Sequence, residues 1–342
     1  MENLQIFNTL NSKKEVFTPI DNDHIKIYAC GPTVYNFAHI GNARMAVVFD
    51  TFVRTLRVIY PKVTYVSNIT DIDDKIIDAA KEQNVEISEI TEKYTQIYNE
   101  DMSMLNVLEP DIQPKATEYI PEMIALIEDL IAKEFAYEKD NHVLFHVPAY
   151  SKYGELSNRN REEQIAGSRV EIAPFKKDPS DFVLWKPSDD SQPGWDSPWG
   201  FGRPGWHTEC SAMSEKTLGL PFDIHGGGRD LIFPHHENEI AQSCCSTANI
   251  DEPDSYAKYW MHNGFVTIEG EKMSKSLGNI ILVRDLTKNY HGEAIRLALL
   301  SSHYRQGLDW NEKIIHQAKK LLTKIYQILD ELKDVREIES ES

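Results

Sequence analysis

Cysteine is scarce in this sequence, which has only four among 342 residues. That number is too small for a disulfide scaffold, and such scaffolds belong to much shorter secreted chains. The sequence therefore favours a reduced, cytoplasmic protein, in which a conspicuous cysteine is a candidate metal ligand or nucleophile before it is half of a bridge. The four are Cys30, Cys210, Cys244 and Cys245.

Long apolar runs and a surplus of positive charge are also missing. No stretch of about 18 apolar residues is present, which argues against a membrane-spanning helix. The first residues, MENLQIFNTLNSKKEVF, have no apolar core segment, so we expect no signal peptide. The formal net charge of −18 argues against a surface that coats nucleic acid broadly, but it leaves room for a local basic groove.

The first third of the chain alternates between strand and helix patterns. Residues 25–30 (IKIYAC) alternate as a strand does, and KVTYVSN at 62–68 is rich in β-forming residues. Between them, apolar residues from Met45 onward recur at helical spacing. Strand, helix and strand in this order form a βαβ unit, so the sequence predicts an α/β fold with a parallel sheet.

The stretch from 115 to 205 has a different character. It contains short strand-like pieces such as HVLFHV and DFVLWK, and it is dense in Pro, Gly, Asp and Ser near 187–205. We interpret it as a connective subdomain inserted between two halves of the sheet domain. The predicted division is a first half at 1–114, the insertion at 115–205, a second half at 206–262, and a last segment at 263–342 that consists of the loop with the sequence KMSKS and a helical part.

The tetrapeptide HIGN, at 39–42, lies between the first predicted strand and the first predicted helix. Ligands bind at this edge of a parallel sheet, and a helix N-terminus offers unpaired N–H groups and partial positive charge. Gly41 would let a phosphate chain approach the backbone, while His39 and Asn42 can donate hydrogen bonds to phosphate oxygens. A plain helix cap with an incidental histidine explains the same four residues equally well.

A second motif, KMSKS, spans 272–276. Its two lysines, Lys272 and Lys275, can reach a triphosphate and neutralise the charge that develops as pyrophosphate leaves. The alternative is an ordinary basic surface loop. HIGN near the start of a chain with KMSKS far downstream is nevertheless a specific combination, and it resembles the signature pair of class I aminoacyl-tRNA synthetases.

Candidate metal ligands are scattered along the chain. In PHHENE, His235 and Glu239 lie four residues apart, on one face of a helix. Cys210 lies in WHTEC, and Cys30 ends the first strand. Cysteine, histidine and carboxylate are acceptable zinc ligands. No CxxC pair is present, however, so the spacing alone leaves a metal site the weaker interpretation, and it does not choose between His235 and His236.

Five segments make the resemblance more specific. They are YACGPTVYNFAHIGNAR, NITDIDDKI, GRPGWHTECSAMS, FDIHGGGRDLIFPHHENEIAQS and KMSKSLGN. In this order they resemble cysteinyl-tRNA synthetases. The resemblance implies a Rossmann-like class I catalytic domain, activation of L-cysteine by ATP with Mg²⁺, and transfer to the acceptor end of tRNA(Cys). It also implies one Zn²⁺ per chain, which would select the substrate thiol and reject serine.

The resemblance assigns residues to each task. The zinc ligands would be Cys30, Cys210, His235 and Glu239. The residues around the substrate cysteine would be Gly31, Thr70, Trp206 and His225, with plain core packing as the alternative for Trp206. ATP would be bound by His39, Gly41, Asn42, Gly226, Gly227, Asp230 and Lys275. Catalysis would rest on positioning and electrostatics from His39, Asn42, Lys272 and Lys275.

A few positions depart from the family pattern or have a simple structural interpretation. Asn42 replaces a more usual histidine, and its amide can donate to phosphate but carries no charge. Glu134 stands where a helix-ending glycine is common, which alters only a local cap. We expect DIDD at 71–74 to cap a helix rather than hold Mg²⁺, and we expect Cys244 and Cys245 to be inert thiols.

The C-terminal part of the sequence is shorter than the family pattern. The family continues into a helical bundle that reads the anticodon, whereas this sequence ends after one amphipathic helix, from about Glu312 to Glu337. The apolar face of that helix needs a cover, which could be the catalytic body, a second copy, a partner helix or a missing domain. We expect either a catalytic fragment or a stand-alone ligase without anticodon readout.

Two rival functions remain open at this point. The first is a cysteine-adenylating ligase that acts on a small amine, as in the related mycothiol-pathway enzyme, and the short C-terminal part favours it. The second is a non-catalytic paralogue, which the retained lysines and candidate ligands disfavour.

Overall fold

A computed structural model describes residues 4–167, 174–189, 191–247, 252–274 and 276–333. The strands are β1 (Gln5–Asn8), β2 (Lys13–Val16), β3 (Ile25–Ala29), β4 (Val63–Ser67), β5 (Ala136–Lys139), β6 (His142–Phe145), β7 (Phe182–Pro187), β8 (Gly202–Pro204), β9 (Phe222–Gly228), β10 (Ala257–Asn263), β11 (Val266–Ile268), β12 (Glu271–Lys272) and β13 (Leu308–Trp310). The helices are α1 (Ile40–Ile59), α2 (Asp74–Gln83), α3 (Ile87–Met104), α4 (Ile120–Ala132), α5 (Arg161–Gly167), α6 (Trp206–Leu218), α7 (Glu237–Ser246), α8 (Val283–Leu286), α9 (Gly292–Leu299) and α10 (Glu312–Leu332).

The central element is a parallel sheet with the strand order β10–β9–β3–β4. Helix α1 connects β3 to β4, as the sequence predicted. Its last residue is Ile59, and the C-cap residue Tyr60 has an extended backbone, because the following Pro61 disfavours the helical conformation in the residue before it. The predicted α/β fold with a parallel sheet is therefore confirmed.

The alternation of side chains along β3 sends its residues into two different cores. Ile25, Ile27 and Ala29 pack with residues of α1, whereas Tyr28 and Cys30 belong to the core that contains residues of α6 and α7. This follows from the two-residue period of a strand. Cys30 and the helix that begins with HIGN therefore belong to opposite faces of the sheet.

A second sheet, with the order β5–β6–β7–β8, is antiparallel throughout. It lies within residues 115–205, which the sequence predicted as an insertion. Helix α4 precedes it and carries Pro121 in its first turn, where the missing N–H costs nothing. The exact domain boundaries stay a prediction.

A third, small sheet carries the start of the KMSKS motif. Strand β11 pairs antiparallel with β12 and parallel with β13. Lys272 is the last residue of β12. The core beneath this sheet also contains residues of α1 and α9, so the sheet packs close to the helix that begins with HIGN.

Helix α10 corresponds to the predicted C-terminal helix as far as Leu332, and the predicted residues from 334 onward lie outside the described part. Ile315 and Ala318, near its start, are buried in the same core as α9. Further along, Leu321 and Leu329 are more than half exposed. Within residues 276–333 and the other described ranges, the second half of this apolar face therefore has no cover.

Two local predictions are confirmed. Asp73 of the DIDD segment caps α2, because its carboxylate accepts a hydrogen bond from the Lys75 amide at 2.8 Å. Cys244 and Cys245 are buried free thiols, and burial raises the pKa of both, which is the environment expected of inert thiols. Among the described helices, none combines the length and apolarity needed to cross a membrane.

Glu134 lies just after α4 in a left-handed conformation, with a φ of 64°. The Phe135 amide donates to the Leu130 carbonyl and the Glu134 amide to the Ile131 carbonyl, which is the hydrogen-bond pattern of a Schellman motif. Glycine adopts this φ without steric cost. We expect Glu134→Gly to raise the free energy of unfolding by about 0.5–1 kcal/mol in urea titrations.

The matched control for this prediction is Glu128→Gly. Glu128 is exposed within α4, where glycine costs about 1 kcal/mol. Opposite signs for the two substitutions would support the account. If Glu134→Gly destabilised the protein as much as the control, the left-handed conformation would not be a source of strain.

Candidate active site and metal centre

The candidate site lies at the carboxyl edge of the parallel sheet. Cys30 directly follows β3, Asn68 directly follows β4, and His225 lies within β9. Because β3 is paired with both β4 and β9, side chains from three distant parts of the sequence meet at this edge. Helices α6 and α7 cover it with Cys210 and Glu239.

Four buried side chains bring their donor atoms together here. The Cys30 Sγ atom lies 3.6 Å from Cys210 Sγ and 3.5 Å from Glu239 Oε1. His235 Nε2 lies 3.1 Å from the same Glu239 oxygen. The ligand atoms of the four residues all lie within 4.8 Å of one another. Two thiols, an imidazole and a carboxylate at this spacing fit a four-coordinate zinc ion.

A second combination of donors overlaps the first. Cys30, His225, His236 and Glu239 also lie within 4.8 Å of one another and are all buried. His236 Nε2 lies 3.4 Å from Cys30 Sγ, so both histidines of PHHENE reach the group. The first combination contains both thiols, which are the softer ligands, and it is therefore the better match to zinc.

Further side chains orient the candidate ligands. Tyr256 donates its hydroxyl to Glu239 Oε2 at 2.9 Å. The two Nδ1 atoms of His207 and His235 lie 3.0 Å apart. The His236 Nδ1 atom lies 2.8 Å from a ring nitrogen of His262. Outer partners of this kind fix ring orientation and tautomer in metal sites.

Burial and mutual charge set the protonation of the group. Burial raises the pKa of the Cys30 thiol well above its ordinary value, and burial lowers the pKa of His235 to about 4. Burial alone would raise the pKa of Glu239, but the adjacent His225 and His235 hold it below its ordinary value. A neutral imidazole and an ionised carboxylate in a buried space are suited to a cation.

Two of the residues predicted around the substrate cysteine, Gly31 and Thr70, lie at the strand ends. A Cβ at Gly31 would overlap the Asn68 carbonyl oxygen, so glycine is required by the close approach of the two chain segments. The Gly31 amide donates to Asn68 Oδ1 at 2.9 Å. Thr70 donates its hydroxyl to the buried Glu209 at 3.1 Å.

The other two predicted substrate contacts, Trp206 and His225, lie at different depths. The Trp206 ring stacks on His235 with centroids 4.1 Å apart, and the residue is 37% exposed, so plain core packing does not account for it. His225 is fully buried. Its ring stacks on Trp260, and its Nε2 atom lies 2.8 Å from Glu239 Oε2. Trp206 thus lies at the surface of the donor group and His225 beneath it.

HIGN forms a reciprocal helix cap at the start of α1. His39 Nδ1 accepts from the amides of Gly41 and Asn42 at 3.1 and 3.4 Å, and Asn42 Oδ1 accepts from the His39 amide at 3.1 Å. The cap interpretation is therefore correct, but the cap does not use the Nε2 atom of His39 or the Nδ2 atom of Asn42. Burial lowers the pKa of His39, against an opposing effect from Asp230. A neutral His39 with Nδ1 as acceptor carries its proton on Nε2.

The KMSKS motif lies beside HIGN. A methyl group at Gly41 would be 3.2 Å from Met273 Cε, which shows how closely the two motifs approach. Lys272 is exposed at the end of β12. Lys275 lies outside the described residues, so the prediction for it is not tested.

The segment after KMSKS pairs with the segment that leads into α1. The Ile40 amide donates to the Ile281 carbonyl and the Val283 amide to the Ala38 carbonyl, both at 3.0 Å. These bonds attach the downstream end of the KMSKS loop to the start of α1.

The residues predicted along the adenosine lie at the end of β9 and in the turn after it. Gly226 faces the Phe49 ring of α1, which a Cβ at this position would overlap. Gly227 lies near Leu231 and the ring of His236. Asp230 is exposed in this turn, close enough to His39 to influence its pKa. The structure thus brings this segment to the same edge as HIGN.

Sequence reasoning missed several residues of the site. Asn68 bridges the Gly31 amide and the Thr70 hydroxyl, and its place two residues before Thr70 in a strand-end segment was a usable signal. Glu209 and Tyr256 are also buried in the site. No local pattern marked them, because their role depends on packing between distant segments.

The sequence comparisons agree with the geometry. Residues 16–320 match the family model described as tRNA synthetases class I (C) catalytic domain. Cysteine–tRNA ligase of Parvibaculum lavamentivorans is 60% identical over 333 residues, which are 97% of this chain and 70% of that protein. This chain belongs to the cysteine–tRNA ligase family. The family member from Rhodospirillum rubrum is 59% identical over 326 residues, with 95% of this chain and 70% of that protein covered.

Solved structures with little sequence similarity to this chain share its fold. Mycobacterium tuberculosis methionyl-tRNA synthetase in complex with methionyl-adenylate has a TM-score of 0.71 at 15% identity, over 91% of this chain and 72% of that one. The LeuRS–tRNA–LeuAMS ternary complex of Agrobacterium radiobacter K84 has a TM-score of 0.65 at 10% identity, over 92% and 73% of the two chains. The predicted class I catalytic fold is confirmed.

Proposed function

We propose that this chain joins L-cysteine to tRNA(Cys) in two steps. In the first, the cysteine carboxylate attacks the α-phosphorus of ATP, the bond to the β-phosphate oxygen breaks, and cysteinyl-adenylate and pyrophosphate form. In the second, a hydroxyl of the terminal ribose of tRNA attacks the cysteinyl carbonyl carbon, and AMP leaves. The observation that carries this proposal is the buried group of two thiols, imidazole and carboxylate at the sheet edge beside HIGN.

We infer that Cys30, Cys210, His235 and Glu239 hold one Zn²⁺. Bound there, the ion would take the substrate thiolate as a further ligand, for which the hydroxyl of serine and the methyl of alanine are poor substitutes. Discrimination that depends on a specific contact of this kind can reach roughly 10⁴-fold without an editing site. The stacking of Trp206 on His235 supports a substrate pocket against this group.

The remaining predicted contacts to the amino acid are Gly31, Thr70 and His225. The Thr70 hydroxyl and the backbone at Gly31 flank Cys30 and Cys210 through the shared partner Asn68. A substrate whose sulfur approached the thiols would therefore place its amino and carboxylate groups near the strand ends.

We assign the triphosphate, with its Mg²⁺, to the start of α1 and the KMSKS loop. The Nε2–H of His39 and the side-chain Nδ2–H₂ of Asn42 can donate to phosphate oxygens. The Nδ1 atom of His39 and the Oδ1 atom of Asn42 cap the helix at the same time. Gly41 admits close approach. Lys272 and Lys275 would neutralise the departing pyrophosphate. The adenosine would lie along Gly226, Gly227 and Asp230.

The acceptor separates this proposal from its rival, in which a small amine takes the cysteine. The high identity to curated cysteine–tRNA ligases over 95% or more of this chain favours tRNA. All four cysteines are free thiols, which supports the reducing cytoplasm as the location. The cover of the exposed part of α10, whether a partner helix or a further domain, stays a prediction.

The test is to incubate the zinc-loaded 342-residue chain with ATP, labelled cysteine and either tRNA(Cys) or a panel of small amines. We expect cysteinyl-tRNA, formed faster when the anticodon domain of a relative is appended, and no amine product. Transfer to an amine without tRNA charging would favour the rival ligase. A chain that formed no AMP with any acceptor would be the non-catalytic paralogue.

A further inference from the structure

Arg44 is the most deeply buried arginine near the site, with no exposed surface. It lies on α1, two residues after Asn42. Within the described ranges its guanidinium has no carboxylate within salt-bridge distance, and none of its hydrogen bonds goes to a residue of the predicted site. Burial lowers its pKa to about 10, so it stays charged at neutral pH. A buried charge without a counter-ion is costly unless hydrogen bonds stabilise it.

Five hydrogen bonds hold the Arg44 guanidinium. One terminal nitrogen donates to the Gly264 and Phe265 carbonyls at 3.1 and 2.8 Å. The two hydrogens of the other reach three acceptors, Ser302 Oγ at 2.9 Å, the His303 carbonyl at 3.4 Å and the Gln306 carbonyl at 2.7 Å, so that one hydrogen is shared. The guanidinium therefore joins α1 to two separate stretches of the C-terminal part of the chain. They are 264–265 and 302–306.

These two stretches lead directly into the small sheet that carries Lys272. Residues 264–265 precede β11, and residues 302–306 precede β13. The stretches are also bonded to each other, because the Gly264 amide donates to the Tyr304 carbonyl at 2.7 Å. Strand β11 pairs with β12, which ends at Lys272. The contacts of Arg44 thus fix the position of the strands that precede the KMSKS loop.

The downstream end of the same loop is already attached to α1 by the backbone bonds of Ile281 and Val283. We propose that Arg44 is a positioning residue for amino-acid activation. It holds the small sheet that carries Lys272 against the helix that begins at His39 and Asn42. This inference rests on the proposed function, since it assumes that both groups act on one ATP. Because Arg44 has no exposed surface, it would act through these elements and not through contact with the substrates.

Lysine cannot replace Arg44 in this role. Five acceptors on two chain stretches require the planar fork of a guanidinium, whereas an ammonium offers three donors from one point. A displacement of about 1 Å in a catalytic group can cost about 10²-fold in rate. Cysteine binding should be spared, because Cys30 and Cys210 belong to the opposite face of the sheet.

The test compares Arg44→Lys with Arg57→Lys, a matched control on the same helix whose guanidinium pairs with the exposed Asp111. We measure cysteine-dependent pyrophosphate exchange into ATP, zinc content and trypsin cleavage after Lys272. For Arg44→Lys we expect kcat to fall about 10²-fold, an unchanged KM for cysteine, full zinc content and faster cleavage. For Arg57→Lys we expect wild-type behaviour. In Arg44→Ala, millimolar guanidinium chloride should restore part of the rate, and equal sodium chloride should not.

A wild-type kcat in Arg44→Lys would overturn the proposal, and so would a joint loss of kcat, cysteine affinity and zinc, which is the result of a general structural role. If the Arg44 variants do not fold, Ser302→Ala decides, because it removes one of the five contacts. It should lower kcat at constant KM, and unchanged kcat would overturn the proposal. A wild-type chain without exchange activity would refute the proposed function instead, and the trypsin comparison would then decide on Arg44.

Discussion

Cys30→Ser is expected to lower kcat/KM for cysteine activation by about 10³-fold to 10⁴-fold and to abolish stoichiometric zinc binding. The reason lies in the position of the Cys30 thiol, whose sulfur is within 3.6 Å of both Cys210 Sγ and Glu239 Oε1. A serine hydroxyl is a much poorer zinc ligand than a thiolate. The activation of serine, which does not use the thiol contact, should change little. Exchange assays with the two amino acids and metal analysis measure these effects.

Cys244→Ser is the matched control for this substitution. Cys244 is also a buried thiol, but it contacts the Ser255 hydroxyl and the Glu252 carbonyl rather than the donor group, and those polar partners can accept a serine. This variant should keep its zinc and its preference for cysteine. If Cys30→Ser also kept both, the donor group would not be the selecting element.

The two overlapping sets of donors can be separated by the same measurements. Because His235 completes the set with both thiols, His235→Gln should lose zinc, whereas His236→Gln should retain most of it. The reverse result would show that the ion uses Cys30, His225, His236 and Glu239.

The second large effect is expected at His39. His39→Asn should lower kcat for pyrophosphate exchange by about 10²-fold to 10³-fold, the usual cost of losing one donor to a developing negative charge. Asparagine is among the best N-cap residues, so the variant keeps an acceptor for the Gly41 and Asn42 backbone amides. Its Nδ2–H₂ takes the place of the ring's Cδ2 atom and does not reach the position of the Nε2–H donor, which is therefore lost. Thermal stability should change little. Exchange kinetics and thermal unfolding together separate the two roles of this side chain.

His291→Asn is the control, because His291 caps a helix but is not part of the candidate site. His291 caps α9 in the same way, with its ring accepting from the Glu293 amide. This variant should have both wild-type stability and wild-type exchange. Full activity in His39→Asn as well would mean that His39 serves only as a helix cap.

Most of the fold and much of the candidate site could be predicted from the sequence. The two-residue alternation in IKIYAC and the helical spacing after Met45 predicted β3 and α1, and the same alternation explains why Cys30 packs against α6 and α7 rather than against α1. The place of HIGN between strand and helix was visible because caps and sheet edges are local features. Local periodicity and turn chemistry were therefore sufficient to predict β3, α1 and the sheet edge between them.

Contacts between distant segments could not be predicted from the sequence. PHHENE has two adjacent histidines, and both reach the donor group. The backbone departs from helical geometry at Phe233, as the following Pro234 favours, but that local signal does not show which histidine ring meets the distant thiols. The hydrogen bonds of Arg44 depend on carbonyl groups more than 200 residues away, whose position is set by the whole fold. Both cases depend on tertiary packing rather than on residue type.

The most direct test of the central claim is amino-acid-dependent exchange of labelled pyrophosphate into ATP by the zinc-loaded chain. We expect exchange with cysteine and a rate about 10⁴-fold lower or undetectable with serine and alanine. Removal of the metal by a chelator should abolish the preference, and added Zn²⁺ should restore it. A folded, zinc-loaded chain that shows no cysteine-dependent exchange, or that exchanges equally with serine, would contradict the account.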